Sequence, residues 1–394
     1  MIARYLRLLP EIFAIAAVCA AHYYLYSWLM HSERMKDLEA YRGRVKVCFM
    51  ASAVFVWLGI ILQMPMFSRA LPYSPWQTWT RGLAIAYGIS VCMLFGIACG
   101  GRLFRRMVPH REPVNPARRT LLKATANAAL ATPLAVTAFG IIIERQRFVM
   151  KEVSIAIPNL PKDLQGLTLV QLTDMHVSPF LSVSELARAV DMANEAKAKI
   201  ALVTGDLIST KGDPLDGCLR ELGRLRAEAG VFGCMGNHEI YAHSEDYTQV
   251  EGAKLGMRFL RSQAQELRFG DAVLNLAGID YQRIGEVYLP TAGELLAKGA
   301  NTVNVLLSHN PDVFPVAAGQ GWDLTLSGHT HGGQVTFELL SRQLNIARFF
   351  TPYVQGVYER DGKSIFVSRG LGTVGVPARI GAPPEVALIK LCAT

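Results

Sequence analysis

LSGHTHGGQV, residues 326–335, is the stretch on which the reading of this chain turns. His329 and His331 stand one residue apart, behind an apolar run and among Gly328, Gly332 and Gly333. In an extended segment residues i and i+2 point the same way, so both imidazoles are expected to face one site, with Thr330 turned away. Glycines, lacking a Cβ, let such a turn approach a ligand closely. The segment 323–331 predicts a strand, which places the pair at a strand's C-terminal end, where open α/β sheets bind ligands.

Outward from this turn the same arrangement recurs. Runs at 153–157, 167–174, 200–206, 230–239, 272–280 and 303–310 predict strands, while 184–198 and 215–228 predict helices, the first with Ser184 as N-cap. Alternation of strands and helices implies an α/β domain with parallel pairing, and the strand-rich end implies an antiparallel portion. Asp174 and His176 close one strand in TDMH, Asp206 another in TGD, Asn237 and His238 a third in GNHE, and His309 a fourth in LLSH. Five of the nine histidines fall in this set; His22, His31, His110 and His243 lie in membrane, loop or linker contexts and receive no ligand role. One histidine at a strand end is more often structural than a ligand, but five strand ends in succession reverse that balance. The donors are oxygen and imidazole without thiolate, a set that suits Mn, Fe or Zn rather than a soft metal. Eight donor positions exceed what one ion takes. They suit two ions sharing a carboxylate, about 3.5–4 Å apart, an arrangement that clamps the attacking and leaving oxygens of a phosphoryl displacement.

The ordered series D-x-H, G-D, G-N-H-E, H and G-H-T-H resembles the calcineurin-like metallophosphoesterase superfamily, over roughly residues 150–394. SHNPDVFP (308–315), SGHTHGGQV (327–335) and SRGLGTVGVPARIGAPPE (368–385) are similar to its membrane-associated or exported bacterial branch. The resemblance implies a four-layer α/β/β/α sandwich and two divalent or trivalent metal ions. Asp174, His176 and His331 would hold the first ion, Asn237, His309 and His329 the second, and Asp206 would bridge them. His238 would face the substrate as proton donor or charge stabiliser, oriented by Glu239, and the nucleophile would be a metal-bound hydroxide. Many relatives carry a further acidic residue soon after the bridging Asp; here GDLIST places Ser209 in that region.

Charge and hydropathy divide the chain. Residues 1–150 carry 18 Lys/Arg against 6 Asp/Glu; with totals of 40 and 32, the remainder carries 22 against 26. The basic excess flanks apolar runs rather than forming a face on a folded domain, so nucleic-acid binding is not expected. Runs at 8–29, 47–66, 83–101 and 124–143 are each long enough to cross a bilayer, which takes about 20 residues. An all-α transmembrane region of four helices over residues 1–145 is therefore expected ahead of a phosphoesterase domain over 146–394. Residues 30–46 and 102–123 are rich in Lys/Arg, which orients both loops to the cytoplasm and the domain to the extracytoplasmic side of a bacterial inner membrane. ARRTLLKA (117–124) resembles a twin-arginine signal placed internally; the alternative is a plain two-arginine anchor before a helix. Export by the twin-arginine machinery would carry the domain across already folded. Seven cysteines form no CxxC pair and read as buried thiols.

These features together predict a membrane-anchored enzyme that hydrolyses P–O bonds in a phosphomonoester, phosphodiester or pyrophosphate. Four spans beside the catalytic domain point to a lipid-linked phosphate as substrate. The rival is a non-catalytic membrane receptor or scaffold on a degenerate phosphoesterase fold, against which the complete donor set argues.

Overall fold

The computed structural model describes residues 9–32, 35, 39–63, 74–107, 116–282, 290–339 and 342–394. The chain divides into two units, residues 1–141 with 375–377, and residues 142–374 with 378–394.

The first unit holds four long helices, α1 (Leu9–Met30), α2 (Arg42–Gln63), α3 (Pro75–Met107) and α4 (Pro116–Ile142). Each contains a window long and apolar enough to cross a membrane. Their outer sides are apolar: Phe13, Met50, Val54, Phe104 and Leu121 are each about two-thirds exposed or more, as side chains facing lipid would be. Small residues set the closest approach, since a Cβ on Gly59 of α2 would lie 2.2 Å from the Ala84 Cβ of α3. His22 of α1 places Nε2 3.1 Å from the Phe49 carbonyl of α2, a helix-packing role. Ser90 of α3 and Thr137 of α4 share a 2.8 Å hydroxyl contact. The predicted runs 47–66 and 83–101 begin earlier in the structure, at Arg42 and Pro75, because helix continues through the polar flanks that hydropathy alone leaves out. Parts of the charged loops used for orientation, 33–34, 36–38 and 108–115, lie outside the described residues.

The second unit contains β1 (Val149–Ile157), β2 (Thr168–Leu172), α5 (Val183–Glu195), β3 (Ile200–Thr204), α6 (Leu215–Leu222), β4 (Val231–Cys234), α7 (Asn237–Ala242), α8 (Glu245–Lys254), β5 (Met257–Phe259), β6 (Gln263–Phe269), β7 (Ala272–Gly278), α9 (Pro290–Glu294), β8 (Thr302–Leu307), α10 (Phe314–Gln320), β9 (Leu324–Ser327), β10 (Thr336–Leu339), β11 (Arg342–Asn345), β12 (Gly356–Arg360), β13 (Lys363–Val367) and β14 (Glu385–Ala393). One sheet runs β1-β14-β2-β3-β4-β5 and the other β12-β13-β9-β8-β7-β6, with β10 and β11 a separate ribbon. Strands β3 and β4 are buried along their whole length, as parallel strands covered on both faces must be.

Leu169, Ile200, Leu202 and Phe232 of the first sheet pack against Leu274, Val305, Leu326 and Phe366 of the second, forming the core between the sheets. Leu186, Val190, Leu219 and Leu222 of α5 and α6 cover the outer face of the first sheet. Phe314 and Ala318 of α10 cover Ile365 and Val367 on the second. The unit is thus the four-layer α/β/β/α sandwich that the family resemblance implied.

Local boundaries differ from expectation. Ser182 rather than Ser184 caps α5: its hydroxyl accepts the Glu185 N–H at 3.2 Å while the Glu185 carboxylate accepts the Ser182 N–H at 2.7 Å. Such a reciprocal cap stabilises a helix by about 1 kcal/mol, enough to choose between two neighbouring serines. The predicted strand 230–239 ends at Cys234. Asn237–Ala242 is helical because the Glu239 carboxylate reaches back to the Gly236 N–H at 2.8 Å. The late strands are mixed: β14 is antiparallel to β2 but parallel to β1, and β13 is antiparallel to β12 but parallel to β9.

Candidate metal centre

Every predicted donor sits just beyond a strand's end: Asp174 and His176 after β2, Asp206 after β3, Asn237 and His238 after β4, His309 after β8, and His329 and His331 after β9. Backbone conformation there is unusual. Asp174, His176, Asp206, His329 and His331 all have φ between 46° and 74°. Each such residue costs of order 1–3 kcal/mol and persists only where surrounding structure imposes it, and such strain collects at functional sites. The histidine pair of the opening motif is therefore not extended, contrary to expectation. Both positions turn left-handed, and the rings diverge: the His331 ring centres 4.8 Å from His176, and the His329 ring 5.1 Å from His309. Thr330 does turn away, its hydroxyl donating to the Val354 carbonyl at 2.5 Å.

Three groups of donor atoms converge, the atoms of each lying within 4.8 Å of one another: Asp174, His176 and His331; His176, Asp206 and His238; and Asp206, His309 and His329. Asp206 belongs to two groups, and its Oδ2 lies 3.3 Å from His176 Nε2 and 3.0 Å from His309 Nε2. Neither Nε2 has hydrogen-bonding geometry toward a protein partner, and neither does the buried Oδ1 of Asn237. Buried polar atoms are normally paired, so unpaired Nε2 atoms of His176 and His309, both beside Asp206 Oδ2, are what cation ligands leave. Two of the rings, those of His309 and His238, are tied to carbonyls on their far side. His309 Nδ1 lies 2.7 Å from the Thr204 carbonyl and His238 Nδ1 2.5 Å from the Ser209 carbonyl. A carbonyl only accepts, so Nδ1 carries the proton and Nε2 turns to the centre, as in metal-bound histidines.

Two glycines are dictated by space. A Cβ on Gly328 would lie 2.2 Å from Asp174 Oδ2, and one on Gly236 would lie 2.1 Å from Asp206 Oδ1. With Gly328 bare, the His329 N–H reaches both Asp174 oxygens at 3.0 Å. The electrostatics follow from burial and from carboxylates among imidazoles. Burial opposes charge on His309, but the Asp206 and Asp174 carboxylates outweigh it and push its pKa up to about 10. Burial, reinforced by the His309 charge, takes His329 down to about 3. Burial also raises Asp174, whereas on Asp206 the effect of burial is overcome by the His309 charge, which holds it well below the usual carboxylate range.

Glu239 supports the backbone around Asp206. Its carboxylate accepts the N–H groups of Asp206 at 2.9 Å, Leu207 at 2.7 Å and Gly236 at 2.8 Å, so it shapes the loop that presents Asp206. The Ser209 carbonyl accepts from the His238 ring, and Asp206 Oδ1 accepts the His238 N–H at 2.9 Å. Asp213 holds that loop in turn, accepting the N–H groups of Ser209 at 3.1 Å and Thr210 at 2.7 Å. Sequence reasoning also passed over Arg379, fully buried, whose guanidinium donates to the carbonyls of Gly372, Arg369 and Ala382 at 2.5, 2.9 and 3.1 Å. Tyr281 was missed as well, its ring 5.2 Å from that of His329; it follows a run read only as a strand.

Residues 167–333 match the family model described as calcineurin-like phosphoesterase. An uncharacterized metallophosphoesterase of Aquifex aeolicus is 30% identical over 248 residues, 61% of this chain and 91% of its own length. The chain belongs to the calcineurin-like phosphoesterases. It is a metal-dependent phosphoesterase, a hydrolase, and the loops described above bring together His and Asp groups that could hold a metal ion. Among its relatives, a transmembrane protein with metallophosphoesterase domain from Danio rerio is 29% identical over 322 residues, 77% of this chain and 71% of its own. A phosphodiesterase of Escherichia coli is 29% identical over 232 residues, 56% of this chain and 80% of its own. Membership in this family and four helices fit to span a bilayer together support a membrane-associated phosphoesterase.

Proposed function

We propose that this chain is a multi-pass inner-membrane phosphoesterase whose domain, residues 146–394, uses two metal ions to hydrolyse a phosphodiester of a lipid-linked substrate on the extracytoplasmic side. The observation that carries the two-ion reading is Asp206, whose Oδ2 lies 3.3 Å from Nε2 of His176 in one donor group and 3.0 Å from Nε2 of His309 in another. Asp174, His176 and His331 would hold one ion and Asn237, His309 and His329 the other, with Asp206 common to both. The donor chemistry, carboxylate, amide and imidazole, fits Mn, Fe or Zn. When bound, such an ion pair supplies Lewis-acid chemistry for displacement at phosphorus. With Nδ1–H held on the Ser209 carbonyl, His238 would pass a proton from Nε2 to the leaving oxygen as the imidazolium, a form that burial disfavours and the Asp206 carboxylate favours. Glu239 positions Asp206, and through the Asp206 Oδ1 to His238 N–H bond of 2.9 Å it positions His238 also. The diester preference is supported by the phosphodiesterase relative, and the lipid linkage by the four apolar helices.

Purified full chain is expected to hydrolyse bis(p-nitrophenyl) phosphate, to lose that activity to a chelator and to regain it with Mn. Metal-loaded protein that cleaves no phosphoester would sink the reading. Sidedness is read from a C-terminal reporter active on one side of the membrane only. Replacing Arg118 and Arg119 by lysine is expected to strand that reporter inside if the twin-arginine machinery exports the domain.

A further inference from the structure

The second unit carries an unburied aromatic pair next to its metal centre. Phe349 and Phe350 are 88% and 75% exposed, the most exposed large apolar side chains of that unit among the described residues. Phe349 is more exposed than Phe13 of α1, at 79%. Their loop is not slack. Asn345 begins it, donating from Nδ2 to the Gly332 carbonyl at 2.6 Å and accepting the Ala347 N–H at 2.8 Å. Beyond the pair, the Thr351 hydroxyl donates to Asp312 at 2.6 Å, and the Val354 carbonyl accepts the Thr330 hydroxyl. Both ends of the loop are therefore fastened to the turn that carries His329 and His331.

Polar anchors thus order a segment whose tip offers two phenyl rings to solvent, an arrangement that costs free energy unless something apolar covers them. Exposed Arg348 adjoins the rings, in a unit whose charge is otherwise slightly acidic. Aromatic rings beside a basic side chain are the composition of a surface that enters the bilayer interface, the rings among the upper acyl chains and the cation at anionic headgroups. The same chain carries four helices fit to span a membrane, which hold the local concentration of bilayer high.

We propose that the Phe349–Phe350 tip docks the catalytic unit on the lipid surface and so keeps the metal centre at the plane where a lipid-borne phosphoester lies. The substrate part rests on the function proposed above; the docking part does not. Two measurements on the full chain, reconstituted in liposomes of phosphatidylethanolamine and phosphatidylglycerol, test them separately. In F349W, the emission added over wild type is expected to be quenched about twofold or more by phosphatidylcholine brominated high on its chains, as an indole at the interface requires. In F349S/F350S, the KM for dodecyl p-nitrophenyl phosphate carried in the vesicles is expected to rise about tenfold, a factor equal to 1.4 kcal/mol. Turnover of water-soluble bis(p-nitrophenyl) phosphate is expected to stay unchanged. Absence of quenching with normal turnover overturns the docking. So does a change of oligomeric state in F349S/F350S, which would make the pair a contact between proteins. Quenching without turnover of either ester leaves docking intact and removes the phosphoesterase reading.

Discussion

Asp206→Asn is expected to lower turnover by about 10³-fold, the loss that corresponds to several kcal/mol of transition-state stabilisation. The side chain lies at the meeting point of two donor groups, with Oδ2 between His176 and His309 and Oδ1 on the His238 N–H. An amide keeps the volume but removes the charge, and it points N–H donors at imidazoles already turned to receive a cation. Metal content, read by elemental analysis, should fall by at least one ion per chain, while far-ultraviolet circular dichroism stays that of the parent. Wild-type metal content and turnover in D206N would refute the shared-ligand arrangement outright.

Arg379→Met should be the most costly substitution away from the donors themselves. The guanidinium is fully buried and serves three carbonyls, those of Gly372, Arg369 and Ala382, with the His331 carbonyl at 3.4 Å. Burial lowers its pKa to about 10 against the pull of Asp174 and Glu385, so it remains charged at neutral pH. Methionine fills a similar volume and satisfies none of these acceptors. Leaving them unpaired is expected to cost about 3–5 kcal/mol, to be measured by denaturant unfolding of the purified chain. Arg379→Lys, which reaches fewer carbonyls, should fall between. Because Gly372 and His331 flank the centre, R379M should also weaken metal retention. Unfolding of R379M at the wild-type midpoint would show that the guanidinium is dispensable.

The donors were legible because each follows an apolar run and repeats the same chemistry, so strand prediction and residue type placed Asp174, Asp206, His309 and the rest at one edge. The alternation gave an α/β domain, and the family resemblance supplied its sandwich arrangement. What escaped depends on contacts between distant residues. Nothing near Arg379 marks it as the carbonyl clamp behind His331, which lies 48 positions earlier. The resemblance gave Glu239 the task of orienting His238, but the bonds of its carboxylate to the N–H groups of Asp206 and Leu207, more than thirty positions earlier, depend on the fold. The left-handed backbone at His329 and His331 was invisible for a related reason: alternation describes strands, and these residues lie just past one. The four apolar helices were evident from hydropathy, while their true starts depended on polar flanks that continue the helix.

Strand β14, Glu385–Ala393, lies between β1 and β2, inside the first sheet rather than at its rim. A nascent polypeptide therefore makes β1 and β2 more than two hundred residues before the piece that separates them. Until that piece leaves the ribosome the sheet stays split, and long-range pairing of this kind is slow. Helices α1 to α4 are made first and can enter the bilayer, but the hydrolase must wait for β14, with its ligand loops open to proteases in the interval. Limited proteolysis of stalled chains lacking β14 should find them cleaved throughout.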